Sequence, residues 1–156
     1  MGLKTLIASL CVVVACSANG SRDFRGVSWG ATTREVLTAE NSAPSTSSRT
    51  ALSFDGEIAG YDALITYHLT SAQTVFAGEY LLDVSDKENR VDRLKMFLSE
   101  KYGANDAPAA GVLRWDSPST SILLRESRGE IVILYLSKAL SPAGLEGKKK
   151  ALLNDF

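Results

Sequence analysis

Hydrophobic residues are distributed along this chain in three different ways. An apolar run from Leu6 to Ala15, interrupted only by Ser9, opens it. Further on, apolar and polar residues alternate at a period of two: Leu52 and Phe54; Ala63, Ile65, Tyr67 and Leu69; Phe76, Gly78, Tyr80, Leu82 and Val84. Successive strand side chains point to opposite faces, so this spacing predicts strands with one face on a core and the other toward water. Three more are predicted at Val112–Trp115, Ser121–Ser127 and Ile131–Ser137. Turn residues at Gly56–Gly60, Thr70–Gln73 and Ser127–Glu130 separate consecutive runs, and an antiparallel meander is the simplest connection.

The third pattern has three- and four-residue steps. Val91, Leu94, Phe97, Leu98 and Tyr102 fall on one side of a helix predicted over Ser85–Tyr102, with a capping box at Ser85-Asp86-Lys87-Glu88 and a stop at Gly103. A shorter helix is signalled by Thr32-Thr33-Arg34-Glu35, carries Val36 and Leu37, and ends near Glu40 to Asn41. Ahead of it, Gly26, Trp29 and Gly30 mark a tight turn. The fold class predicted is therefore α+β: an antiparallel sheet of about five to six strands with one long and one short helix packed on one face. Ala43–Thr50, rich in Ser and Thr, reads as a surface loop, and no internal repeat is apparent.

The opening run changes the picture most. One lysine, Lys4, precedes it, and a helix of about ten residues is about 15 Å long, half of a roughly 30 Å hydrocarbon core. It reads as a signal peptide, residues 1–15. It ends in Val13-Val14-Ala15-Cys16, which resembles the lipobox of bacterial lipoproteins. That resemblance implies diacylglycerol on the Cys16 sulfur, cleavage after Ala15 and a membrane anchor. Ordinary secretion, with a cut at Asn19, is the alternative. The chain has two cysteines, Cys11 inside the run and Cys16, so the exported body has no pair for a disulfide. Residues 16–23 form a polar lipidated tether, and 24–156 a single domain. Ser17 is not the aspartate that resembles an inner-membrane retention signal, which favours the outer membrane, facing the periplasm.

Composition adds exclusions. A formal net charge of −1 gives no general field for nucleic acid. The single basic run, Lys148-Lys149-Lys150, reads as a solvated end. The one histidine, His68, lies on the strand face opposite Ile65 and Tyr67 and reads as solvent-facing or cross-strand. With no usable thiol after lipidation, no catalytic set, metal site or cofactor is expected. Carboxylates at Asp83, Asp86, Glu88 and Asp92 suit a helix start, although a converging pair could do hydrolytic work. Of the aromatics, Trp29, Trp115, Tyr61, Tyr67, Tyr80, Tyr102 and Tyr135, most are expected in packing. Trp29 and Trp115 are kept as a candidate interaction surface.

Phe24-Arg25-Gly26-Val27-Ser28-Trp29-Gly30, Gly78-Glu79-Tyr80 and Lys101-Tyr102-Gly103 together resemble a group of uncharacterised bacterial lipoproteins. The plan is also loosely similar to β-lactamase-inhibitor-like modules and to the small lipoprotein of the outer-membrane barrel-assembly complex, which work by binding proteins. The resemblance implies a non-catalytic binding module whose partner is another envelope protein. The alternatives are a carboxylate-dependent hydrolase of the envelope or an inhibitor of a secreted enzyme.

Acyl chains stabilise membrane attachment by about 0.8 kcal/mol per buried methylene, so attachment should depend on Cys16 alone. Expressed in a bacterium, the wild type is expected in the detergent phase with an acylated intact mass, and Cys16→Ser in the aqueous phase without one. A soluble wild type beginning near Asn19 would instead establish plain secretion.

Overall fold

The computed structural model describes residues 23–83, 89–127 and 129–140. Its elements run α1 (Thr33–Glu40), β1 (Thr46–Ser47), β2 (Ala51–Ile58), β3 (Tyr61–Leu69), β4 (Val75–Asp83), α2 (Arg90–Tyr102), β5 (Asp106–Ala109), β6 (Val112–Asp116), β7 (Thr120–Ser127) and β8 (Glu130–Ser137). All the strands form one antiparallel sheet in the order β1-β2-β3-β4-β8-β7-β6-β5.

The sheet has eight strands, not the five to six expected. The six strands predicted, three from alternation and three from short runs between turns, are all present. The two added are edge pieces, Thr-Ser in β1 and Asp-Ala-Pro-Ala in β5, too short and too poor in large apolar residues to show a period. β1 also lies inside the stretch expected to be a surface loop.

The strand order is a palindrome. Each helix is followed by a four-stranded meander, and the last strands of the two meanders, β4 and β8, pair along the middle of the sheet, from Ala77 opposite Leu136 to Asp83 opposite Glu130. The topology thus repeats although the sequence does not, because either half needs only the same period of polar and apolar positions.

Both helices contribute to one core. Val36 from α1 and Leu94 and Leu98 from α2 are buried with Phe54, Ile65, Tyr67, Tyr80, Trp115, Ile122, Ile133 and Tyr135 from the strands. α1 begins as expected: the Thr32 hydroxyl accepts from the Glu35 amide, and the Glu35 carboxylate accepts from the Thr32 amide at 2.7 Å. It ends where Asn41 turns left-handed at φ 50°. α2 stops at Gly103, φ 87°, also as expected. Its start differs. Asn89 is left-handed at φ 68°, a conformation that cannot lie within a right-handed helix, so the helix begins at Arg90. The capping box expected at Ser85–Glu88 falls outside the described residues. Phe97, expected on the buried side, is among the exposed large apolar residues.

The two faces of the sheet differ. Odd-numbered positions of β3 (61 to 69) and β8 (131 to 135), with even-numbered positions of β2 and β7 and, in β4, Val75 and then Gly78, Tyr80 and Leu82, meet the helices; the register shifts between Val75 and Ala77, so Phe76, expected on the face of Gly78 and Tyr80, packs on the other. The opposite or outer face carries a second apolar cluster of Ala77, Val112, Leu123, Leu134 and Leu136, against which Phe76 and Ala109 pack.

Candidate functional site

The segment from Asp23 to Ala31, ahead of α1, lies across the helix side of the sheet and absorbs most of the polar chemistry found there. A tight turn at Arg25 and Gly26, φ 48° and 82°, closes a bridge between Phe24 and Val27. Phe24 then drops onto the sheet over Gly78, where an added Cβ would stand 2.3 Å from the ring. Its ring centroid is 5.1 Å from those of Tyr67, Tyr80 and Tyr135, and it stacks on Trp29 at 6.5 Å. Glycine at position 78 therefore makes the notch that admits the ring.

On one side of this ring lies a charged cluster. Arg25 makes a bidentate pair with Glu40 at the end of α1, Nε to Oε1 2.7 Å and Nη2 to Oε2 3.0 Å, and its guanidinium lies 6.0 Å from the centroid of Tyr80. The Tyr67 hydroxyl donates to the same Glu40 oxygen. The Glu40 side chain is only 7% exposed. Burial alone would raise its carboxyl, but hydrogen bonds from Arg25 and Tyr67 and the charge of Arg25 outweigh burial and hold it below the ordinary 4.5. The hydrogen bond to Glu40 keeps Arg25 charged, while burial and that same carboxylate push the Tyr67 phenol up.

The other side is built on a second carboxylate. Asp23 accepts from the Trp29 amide at 3.0 Å and from the Ser119 hydroxyl, and the Trp29 indole donates to Thr120 at 2.9 Å. Trp29 is thus half-buried and bonded to the first residue of β7. Trp115 is 1% exposed, with its indole donating to Ser99 of α2 at 3.2 Å, so it presents no surface to a partner. Of the residues singled out in the sequence, Cys16, Asp86, Glu88 and the run Lys148–Lys150 lie outside the described residues. Asp92 sits in the first turn of α2, and Asp83 ends β4. His68 pairs across strands with Glu79 at 3.1 Å on the outer face.

A second described feature lies on the outer face. Asp55, Gly56 and Glu57 of β2, Asp62 and Leu64 of β3, Leu81 and Asp83 of β4 and Glu130 of β8 line an open groove of about 640 Å³. Leu64 is 37% exposed there. Five carboxylates around an apolar floor suit a basic segment that also carries apolar side chains. Among the described residues no group of three or more His, Cys, Asp or Glu side chains could hold a metal ion. Sequence reading missed both the charged cluster and this groove, because each gathers residues from separate elements. Only Arg25, a long cation placed between Phe24 and Gly26, hints at the first. Comparison with protein-family models, curated proteins and solved structures finds no match.

The direction of the Glu40 shift sets a pH dependence. A carboxyl lowered in the folded state contributes stability that is fully present above its unfolded value and is lost as pH falls through the folded one. Unfolding in urea should therefore show a stability that declines on the acid side of 4.5. Glu40→Gln should flatten that decline and, by leaving Arg25 without its counter-charge, cost about 1–3 kcal/mol at pH 7. An unchanged midpoint at pH 7 would show that the pair contributes nothing net.

Proposed function

We propose that this chain is an exported bacterial lipoprotein, anchored through Cys16 to the outer membrane on its periplasmic side, whose body works by binding another envelope protein without catalysis. The observation that carries the binding reading is the outer-face groove, with Leu64 and Leu81 on its floor and Asp55, Glu57, Asp62, Asp83 and Glu130 around it. An exposed apolar floor with a rim of one charge supplies both the area that drives association and the selectivity for a basic partner. The helix side supports the same reading from the opposite direction: its aromatic and charged residues are engaged with one another in packing. A short polar tether, which ends at residue 22 because Asp23 is bonded into the fold, would keep the groove close to the membrane surface.

A carboxylate-dependent hydrolase is the second reading, because the groove also gathers the acids such an enzyme would need. The two differ in what charge does. Binding depends on the sum of the carboxylates and falls with salt, whereas hydrolysis depends on one pair and is lost with a single Asp→Asn change.

A photo-reactive side chain placed at Leu64 in the membrane-anchored protein should give a discrete protein adduct in the producing bacterium. The same probe at Met96, on the solvent side of α2 and 63% exposed, should not. Asp62→Lys should reduce the Leu64 adduct several-fold by reversing one of the groove's charges. Equal labelling at both positions, or none at Leu64, would overturn the reading.

A further inference from the structure

The groove runs out at one edge of the sheet, and that edge is only partly closed. Outside β2 lies β1, whose two residues pair with Ser53 and Leu52. Continued, the same register would place Ser45 and Pro44 beside Phe54 and Asp55, but the chain bends at Ser45 and a proline has no amide to give. No described strand therefore runs outside Phe54–Ile58, a stretch of about 13 Å at about 3.3 Å per residue.

The hairpin fixes which backbone groups face outward. Two residues, Ala59 and Gly60 with φ 51° and 80°, join β2 to β3, so Ile58 and Tyr61 form the first backbone-bonded pair. Bonded and unbonded pairs alternate along an antiparallel ladder, so Ile58, Gly56 and Phe54 turn their amides and carbonyls to β3. Glu57, Asp55 and Ser53 turn theirs to the edge. Contacts on that side agree: the Ser48 amide donates to the Ala51 carbonyl at 2.8 Å, and the Ser45 hydroxyl to that of Ser53 at 3.1 Å. The Glu57 carbonyl accepts from Arg25 Nη1 at 3.4 Å, which leaves it a second lone pair. Among the described residues, nothing accepts from the outward amides of Asp55 and Glu57.

Sheet edges are ordinarily guarded by proline, by irregular register or by charge. β5, at the opposite edge, has Pro108 and a shift in register between Asp106 and Ala109. β2 has no proline and pairs with β3 without interruption, so charge alone guards it. Asp55 and Glu57 are exposed on the outer face, Glu57 stands directly opposite Asp62, and Asp83 stands opposite Glu130. The pairing of Leu64 with Leu81, carried on by two residues, brings Asp62 beside Asp83, so one row of acids crosses β2, β3, β4 and β8. Like charges directly opposite one another are destabilising, and a cation between them relieves the repulsion. Among the described residues Asp55, Glu57 and Asp62 have no cationic partner. The same charges turn away a second copy of this edge.

We propose that Phe54–Ile58 is a strand-addition site, on which an extended segment of the partner protein exchanges backbone hydrogen bonds with Asp55 and Glu57 and carries basic side chains at every second position. Side chains of an added strand alternate between faces, so those beside Asp55 and Glu57 fall on the outer face, next to the carboxylates of both and of Asp62. The backbone supplies affinity and the alternating cations supply selectivity. This mode rests on the binding reading above and adds to it how the partner is held.

Hydrogen exchange resolved to single amides tests it, on the purified protein with a short synthetic peptide of alternating lysine and valine. In the free protein the amides of Asp55 and Glu57 should exchange faster than those of Phe54, Gly56 and Ile58, and the peptide should slow them about tenfold or more. Methylating the lysine backbone nitrogens, which keeps every charge and removes the donors facing β2, should weaken binding about tenfold or more. Asp55→Asn with Glu57→Gln, which keeps the backbone and removes the charges, should weaken the unmethylated peptide several-fold. No binding of that peptide, equal binding of the two peptides, or unchanged exchange at Asp55 and Glu57 would overturn the proposal. So would slowing that needs no peptide and grows with protein concentration, because a second copy would then occupy the edge. The Leu64 adduct requires a partner in the groove but no strand on the edge, so its absence would count against the groove and equal peptide binding against this mode alone.

Discussion

The seating of Phe24 over Gly78 is the contact on which the rest of the arrangement depends. Its ring touches Tyr67 of β3 and Tyr80 of β4 from one meander and Tyr135 of β8 from the other. Among the described residues the two meanders meet within the sheet only along the β4–β8 ladder. A sheet edge pairing far along the chain closes a long loop before it gains anything, and a ring packed into both halves offsets part of that entropic cost. The notch exists because position 78 has no side chain, so a residue near the start of the domain and a glycine in its middle specify each other.

The polar contacts of the same segment follow from that seat. With Phe24 in place, Arg25 is delivered to Glu40 and Asp23 to Ser119 and the Trp29 amide, which fastens α1 and the β6–β7 turn to one short segment. A buried carboxylate would be destabilising alone, and the bidentate guanidinium with the Tyr67 hydroxyl is what makes it tolerable. Motif residues that look functional in the sequence are therefore occupied in holding the scaffold together. On the opposite face, acids from three hairpin-connected strands and from β8 converge on the groove.

How much of this could be read in advance depended on how local each signal was. Alternation marked β2, β3 and β4, since burial of one face repeats every two residues, while β6, β7 and β8 were marked by short runs between turn residues, and Thr32 with Glu35 marked α1 because a capping box is complete within four residues. β1 and β5 escaped because their ladder bonds come from the neighbouring strand and leave no apolar period in Thr-Ser or Asp-Ala-Pro-Ala. Trp115 could not be told from a surface tryptophan, since its burial depends on Ser99 and Leu98 of a helix whose position over the sheet no spacing encodes. The pairing of β4 with β8, which sets the strand order and assembles the groove, is a relation between distant segments and was likewise invisible.

Native-state hydrogen exchange on Phe24→Ala tests this dependence most directly. If the ring joins the halves, amides of β3 and β4 and amides of β7 and β8 should lose protection together, by the same amount of about 3–5 kcal/mol, the cost of truncating a buried phenylalanine. Loss confined to residues 23–31, with both meanders still protected as in the wild type, would show that the β4–β8 ladder holds without the ring and would contradict the account.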